Sequence, residues 1–305
     1  MTQYVELTFK GEVAALSAAF LWAVSSVIYG HLGQQIPPLT LNLLKGAIAI
    51  MLLLLTLVLR GEFLSAIAPV PLCLLLLSGI LGIGVGDTAF FAALNCLGAR
   101  RALLMETLAP PMTAIGALFL QEQLSVGAWC GILLTILGVA WVVTEQLPSA
   151  NVSPVNLVRG ISFGLLAALA MATGGVLSRA VLATTTISPL WAALLRLLAA
   201  VLTLLPLAWL TGKREAIKPQ NYKIFQSLSV FRAIFLAAFA GTYLGIWLQQ
   251  TVIKFTAVGI ALTLTNTSPL FVLPIAIYLG EKVSLRAIVG AVITISGIAV
   301  LFYLQ

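Results

Sequence analysis

The chain has 305 residues, of which 61% are hydrophobic and 8% are charged, and its mean hydropathy is +1.12. Soluble domains are about half apolar and a quarter charged, so this composition argues against soluble enzymes, nucleic-acid binders, disordered chains and disulfide scaffolds. The excess of 16 basic over 9 acidic residues indicates unequal loop charge in a membrane chain rather than a nucleic-acid partner.

The apolar residues fall into ten stretches, most of them near the roughly 20 residues that a helix needs to cross a bilayer. In chain order they cover residues 13–30, 38–59, 70–97, 102–120, 126–144, 160–181, 189–210, 228–253, 258–279 and 284–303. Pro, Gly and charged residues separate them. The first stretch lacks a cleavage pattern, which argues against a signal peptide. The sequence therefore predicts an all-α integral membrane protein with ten transmembrane helices.

The second half of the chain repeats the first. Residues 82–140 align without a gap on residues 241–299, and Gly, Pro, Glu and Ser coincide in one order. The coinciding pairs are Gly82/Gly241, Gly86/Gly245, Pro110/Pro269, Glu122/Glu281, Ser125/Ser284, Gly131/Gly290 and Gly138/Gly297. Setting Pro38 on Pro189 likewise sets Lys45 on Arg196. Five helices per repeat make the second repeat enter the membrane from the opposite side, so we predict two inverted five-helix repeats over 11–145 and 159–303.

Each repeat carries a Pro at the start of a late helix and then a Leu-x-Glu-x-hydrophobic-Ser turn, at 120–125 and 279–284. Together with Leu21-Trp22-Ala23 and the cations after Pro38 and Pro189, these features make residues 11–303 resemble the EamA family of the drug/metabolite transporter superfamily. The resemblance implies a multi-pass carrier of small metabolites in the inner (plasma) membrane, often an exporter. It does not name a substrate.

Ionisable side chains inside membrane helices cost about 2.5–3.5 kcal/mol each on insertion scales and are candidates for function. Those well inside the predicted helices are Lys45, Asp87, Glu106 and Arg196. For the two cations, contact with a charged substrate and structural pairing between helices both stay open. The two acids are the stronger functional candidates, because the corresponding repeat positions hold Ile246 and Thr265.

Polar and aromatic side chains at helical spacing extend the candidate site, because such stripes often face a cavity. Pro110 and Pro269 also interrupt two helices beside polar residues and free backbone carbonyls there. The predicted substrate-binding residues are Trp22, Asp87, Phe91, Asn95, Glu106, Thr107, Tyr243, Trp247, Gln250, Thr265 and Asn266. Ser25-Ser26, facing Gly174-Gly175, completes the expected lining, although simple packing of the glycines stays open.

Both repeats also have a glutamate at the same aligned position, and we interpret this pair as structural. Glu122 and Glu281 lie at helix ends, where a carboxylate can stabilise the N-terminus of the following helix. We group them with Lys45 and Arg196 as structural or gating charges. The cysteines at 73, 96 and 130 show no metal-ligand spacing and are predicted to be small core residues. No metal or cofactor is expected.

The function that these features favour is secondary transport of a small polar, amino-acid-like metabolite by alternating access around a midplane cavity. The chain lacks a Walker A motif, so ATP is not expected to drive transport, and protons or an exchanged solute remain alternatives. We expect a monomer or weak homo-oligomer whose partners are the lipid bilayer and a small-molecule substrate. An oligomeric channel is a further alternative.

An enzymatic alternative rests on Gly84-Val85-Gly86-Asp87, which matches the G-x-G-D of intramembrane aspartyl proteases. That chemistry needs two carboxylates that share a proton, and Asp87 is the only aspartate in the sequence. The protease hypothesis is therefore disfavoured.

The direction in which the chain faces is left open by two conflicting indications. The predicted topology gives 4 basic residues to the face with both termini and 10 to the opposite face. The positive-inside rule then puts the termini outside the cytoplasm, whereas the family resemblance implies cytoplasmic termini.

Overall fold

A computed structural model describes residues 2–63, 67–112, 125–143, 154–215, 227–255, 265–280 and 283–303. The regular elements within these ranges are all helical. They are α1 (Thr2–Leu32), α2 (Pro38–Arg60), α3 (Pro69–Leu97), α4 (Ala99–Glu106), α5 (Val126–Val143), α6 (Pro154–Leu182), α7 (Pro189–Glu215), α8 (Leu228–Phe255), α9 (Ser268–Tyr278) and α10 (Leu285–Tyr303). Six helices of the described ranges are long and apolar enough to cross a membrane, namely α1, α2, α3, α6, α7 and α8.

Proline and glycine set several of the helix limits. Pro38 and Pro69 lie in the first turn of α2 and α3, where a missing backbone N–H removes no helical hydrogen bond. Gly61 ends α2 with a φ of 61°, and Gly98 separates α3 from α4 with a φ of 79°. Both are left-handed conformations that glycine adopts without a steric cost. These Pro and Gly residues, predicted to separate the apolar stretches, therefore do lie at helix ends.

A π-helical segment interrupts α3 and another interrupts α8. In α3 it covers Ile80–Asp87 and in α8 it covers Ala238–Leu244, which are overlapping positions when the two repeats are aligned. The Asn42 amide donates to the Ile83 carbonyl at 2.9 Å, and the Trp22 indole N–H donates to the Gly241 carbonyl at 3.0 Å. Side chains of neighbouring helices thus satisfy backbone groups inside the widened turns, as an apolar environment requires.

The two halves of the chain interlock through these interrupted helices. α3 packs against α6 and α7, whereas α8 packs against α1 and α2. At the α3–α6 crossing, a Cβ built on Gly174 would lie 2.8 Å from the Gly82 Cα. At the α1–α8 crossing, a Cβ on Gly245 would lie 2.7 Å from Trp22 Nε1. Small residues let the backbones approach closely at both places.

α5 and α10 form a separate pair that lies beside this bundle. Gly138 of α5 contacts Thr294 of α10, and Gly297 of α10 contacts Thr135 of α5. The contact that lies further along α5 lies earlier along α10, so the two helices run antiparallel. The contacts are reciprocal: Gly138 aligns with Gly297 and Thr135 aligns with Thr294, and each glycine contacts the threonine of the other helix.

Three sequence predictions need comment against this architecture. Cys73 and Cys130 are exposed on the helix surfaces and Cys96 is half-buried, so the prediction of core cysteines is wrong for the first two. An apolar residue in a membrane protein can face lipid as well as the core, and hydropathy does not separate the two. Arg100 and Arg101, placed by their charge in a loop, are buried in the first turn of α4. Glu122 and Glu281 lie outside the described residues.

Candidate functional site

A cavity lies where the two halves meet, and four ionisable residues line its inner chamber. Both halves contribute to its wall, through α1, α2, α3 and α4 of the first half and α6, α7 and α8 of the second. The polar side chains of the wall are Trp22, Ser25, Ser26, Tyr29, Lys45, Asp87, Glu106, Arg196, Thr242 and Gln249. The four ionisable residues predicted from sequence therefore converge on one chamber.

Lys45 of α2 and Asp87 of α3 form a salt bridge in this chamber. Their side chains are 6% and 16% exposed. The Lys45 ammonium also lies 4.9 Å from the centre of the Phe91 ring, which provides a cation–π contact. The pair neutralises one positive and one negative charge, so it contributes no net charge to the wall.

Arg196 of α7 is 4% exposed and lines the same chamber. Within the described part of the chain, its Nε and Nη1 atoms have no hydrogen-bond partner. Its Nη2 lies beside Gly82, where a built Cβ would stand 3.1 Å away. Burial costs a cation its hydration, so the Nε and Nη1 atoms of Arg196 remain available to donate to an anion in the chamber.

Glu106 of α4 lies at the junction between the inner chamber and an outer one. Among the described residues, no salt bridge or hydrogen bond engages its carboxylate. The outer chamber has a volume of about 280 Å³ and includes the predicted residues Thr107, Thr265 and Asn266. The Thr107 hydroxyl donates to the Leu104 carbonyl at 2.6 Å, which closes the turn where α4 ends.

The outer chamber lies toward one end of the bundle. Arg179 and Ile253, which line it, are close to the C-terminal ends of α6 and α8. The Arg179 guanidinium donates to the Ile253 carbonyl and joins these two helix ends. Pro110, which follows α4, and Pro269 of α9 lie in its wall, so both predicted helix interruptions border the cavity.

Four predicted site residues do not line either chamber. Asn95 lies against Gly33 at the end of α1. The Tyr243 hydroxyl is 2.7 Å from the Thr56 hydroxyl, and Trp247 stacks beneath the Arg60 guanidinium at 5.7 Å. Gln250 is fully buried and accepts a 2.6 Å hydrogen bond from Ser178. These side chains join helices to one another.

The face of α8 that borders the cavity is instead the neighbouring one. It carries Thr242, Ile246, Gln249 and Ile253. Tyr29 of α1, also absent from the predictions, faces it, with its hydroxyl 3.2 Å from the Thr242 hydroxyl. Residues 242, 246, 249 and 253 also follow helical spacing. The sequence of α8 therefore has two candidate faces of similar polarity, and periodicity alone does not show which one borders the cavity.

The site has no evident metal-binding arrangement. Across the described ranges, no group of three or more His, Cys, Asp and Glu side chains is placed to hold a metal ion. What the wall does offer is one cation and one carboxylate that form no salt bridge in the described structure, together with hydroxyls and aromatic rings. These groups can bind an organic solute that carries charges of both signs.

Comparison with known proteins identifies the family. The model of the EamA-like transporter family matches residues 9–144 and again residues 158–303. The chain belongs to this family. The resemblance predicted from the turns and prolines is therefore confirmed, as is the two-repeat organisation, and the EamA-like chain is a multi-pass membrane protein of the drug/metabolite transporter superfamily.

Two further comparisons bear on this EamA-like chain. A solved crystal structure of another protein aligns with a TM-score of 0.68, covering 97% of this chain and 98% of that one, at 16% sequence identity. At that identity the likeness shows the fold alone. No curated protein sequence matches the chain.

Proposed function

We propose that this EamA-like protein is a secondary transporter that exports a small amino-acid-like metabolite across the cytoplasmic membrane. The observation that carries the proposal is the charge arrangement of the cavity. Lys45 and Asp87 neutralise each other, while Arg196 and Glu106 form no salt bridge in the described structure. A zwitterion supplies an anionic group for Arg196 and a cationic group for Glu106.

We further propose that transport follows alternating access between ten helices arranged as two inverted repeats. The antiparallel contact between α5 and α10 supports inversion, because these are corresponding helices of the two halves. The interruption of α3 and α8 at aligned positions supports it too. Both interrupted helices border the cavity, where a change of packing would expose it to one face or the other.

The enzymatic alternative loses support from the same geometry. Aspartyl protease chemistry needs an aspartate whose carboxylate shares a proton with a second carboxylate. Asp87 instead forms a salt bridge with Lys45. The proposal is therefore that the protein carries its substrate unchanged.

The test is counterflow in reconstituted vesicles that are preloaded with a panel of unlabelled amino acids, organic acids, sugars and nucleobases. We expect uptake of labelled amino acid by the wild-type protein. Glu106→Gln should raise the KM by at least about ten-fold, the scale of a lost hydrogen bond to a charged group. Glu62→Gln is the matched control, because Glu62 pairs with Arg60 at the end of α2 and lines neither chamber.

Two outcomes would count against the proposal. Counterflow of none of the compounds by folded protein would remove the carrier function. Equal effects of the two glutamate variants would remove the cavity as the binding site. Repeating the assay with and without a pH gradient separates proton coupling from exchange, since equal rates exclude a coupled proton.

A further inference from the structure

The two repeats treat their buried cation differently. When the repeats are aligned, Lys45 corresponds to Arg196 and Asp87 corresponds to Ile246. In the first repeat the cation has a carboxylate beside it, and the two form a salt bridge. In the second repeat the position of that carboxylate holds an isoleucine, which lines the same inner chamber as Arg196. One half thus has a complete ion pair and the other half has only the cation.

No acid forms a salt bridge with Arg196 in the described structure, although the charge of Asp87 in the same chamber acts on it. Its Nε and Nη1 have no hydrogen-bond partner in the described structure, although the residue is 96% buried. The chamber's other charged groups are the paired Lys45 and Asp87, and Glu106, which forms no salt bridge with Arg196. A guanidinium presents several donors in a plane that suits a carboxylate or phosphate. The Arg196 Nη2 atom packs against Gly82, where a Cβ would lie 3.1 Å from it.

We propose that Arg196 binds the oxyanion group of the transported solute, in the way that Asp87 binds Lys45 in the first repeat. This inference rests on the proposed transport function and specifies which substrates the cavity accepts. The solute must carry a carboxylate or a comparable oxyanion. Neutral amides and amines of the same shape leave Arg196 unpaired and are poor substrates, because a buried group without its partner is costly.

The first experiment compares matched acids and amides in the counterflow assay, using leucine with leucinamide and phenylalanine with phenylalaninamide. We expect wild-type protein to prefer each acid by about ten- to hundred-fold in kcat/KM. Arg196→Gln should abolish this preference, and Arg196→Lys should retain part of it. Competition by acetate and by inorganic phosphate distinguishes a carboxylate from a phosphate group as the natural ligand.

The second experiment needs no substrate. Ile246→Asp restores the acid that the first repeat has, and Ile246→Asn is its matched neutral control. In detergent, we expect the Asp variant to unfold at a higher temperature than the Asn variant when Arg196 is present. In the Arg196→Gln background this order should vanish or reverse. The Asp variant should also lose the preference for acids over amides.

The outcomes separate the two proposals. Equal transport of acids and amides, with Arg196→Gln unchanged, would overturn the anion site while leaving the transporter intact. Equal stability of the Asp and Asn variants in both backgrounds would overturn it without any transport measurement. Absence of all counterflow would overturn the transport function, and a marked loss of stability in both Arg196→Gln and Arg196→Lys would assign Arg196 to packing instead.

Discussion

The inner chamber is lined by Lys45, Asp87, Glu106 and Arg196, and among these residues Lys45 and Asp87 form a salt bridge. Removing one member of a buried pair leaves an uncompensated charge, which costs about 3–5 kcal/mol. We therefore expect Asp87→Asn and Lys45→Met each to lower the unfolding temperature strongly. The combination of Lys45→Met with Asp87→Leu should recover much of the loss, because neither member of the pair then leaves an uncompensated charge. Thermal unfolding of the purified protein in detergent measures all of these effects.

The Arg60–Glu62 pair is the control at this scale. It joins two side chains that are 52% and 27% exposed, and exposed pairs contribute less than about 1 kcal/mol. Glu62→Gln, which removes this pair and keeps the Arg60–Trp247 contact, should therefore leave the unfolding temperature nearly unchanged. If the Lys45 and Asp87 losses simply added in the double variant, the two residues would not act as a pair.

Charge was also the part of the site that sequence could predict. An ionisable residue in an apolar stretch needs a partner or a polar cavity, and Lys45, Asp87, Glu106 and Arg196 do meet in one. The predicted role of each in binding stays a prediction. Sequence could not tell which cation is paired, because that depends on the distance between helices.

Among the helices, the crossing of α3 and α6 depends on one of two adjacent glycines. A Cβ on Gly174 would lie 2.8 Å from the Gly82 Cα and 3.0 Å from the Ser78 carbonyl, whereas a Cβ on Gly175 would meet nothing within 4 Å. Backbone atoms cannot move aside as a flexible side chain can. We expect Gly174→Ala to destabilise the protein by about 1–3 kcal/mol, the usual cost of overpacking.

Gly175→Ala is the matched variant on the next residue of the same helix. It should retain wild-type stability, and any effect should be on transport, since Gly175 borders both chambers. Unfolding temperature and counterflow KM together distinguish the two positions. The prediction fails if both variants lose stability to the same extent.

The interrupted helices also show where the sequence was insufficient. Proline, glycine and apolar length predicted most helix limits closely, because these features act locally. The cavity face of α8 was assigned to Tyr243, Trp247 and Gln250, but the structure turns Gln249 and its helical neighbours toward the cavity. Helical periodicity shows which residues share a face of the helix, but it does not show which face borders the cavity. A π-helical turn also shifts the faces on either side of it, and nothing local in the sequence predicts that shift.

At the scale of the molecule, α5 and α10 stand apart from the transport pathway. Among the described residues, neither helix contributes to the wall of either chamber. Their reciprocal contacts, Gly138 with Thr294 and Gly297 with Thr135, are those that a two-fold relation between the halves would produce. In the proposed inverted arrangement, one half is turned over relative to the membrane. Corresponding loops of the halves should then lie on opposite faces.

Single cysteines test this arrangement in a background without the three native cysteines. Gln34 follows α1 and Thr184 follows the corresponding helix α6, and both side chains are exposed. We expect a membrane-impermeant maleimide to label only one of Gln34→Cys and Thr184→Cys in intact cells, while both are labelled after lysis. Phe63→Cys should behave like Thr184→Cys, and Leu279→Cys should behave like Gln34→Cys. In the predicted topology an even number of membrane-spanning helices lies between the members of each pair, so both members are on the same face.

The labelling pattern also decides the orientation that loop charge and family membership leave in conflict. The Thr184 face is the face of both termini in the predicted topology, and it has the fewer basic residues. Labelling of Thr184→Cys in intact cells would therefore follow the positive-inside rule, and labelling of Gln34→Cys would follow the family expectation of cytoplasmic termini. Labelling of both in intact cells would contradict inversion itself, because parallel halves put corresponding loops on one face. This comparison therefore tests the inverted arrangement, on which the proposed alternating-access mechanism depends.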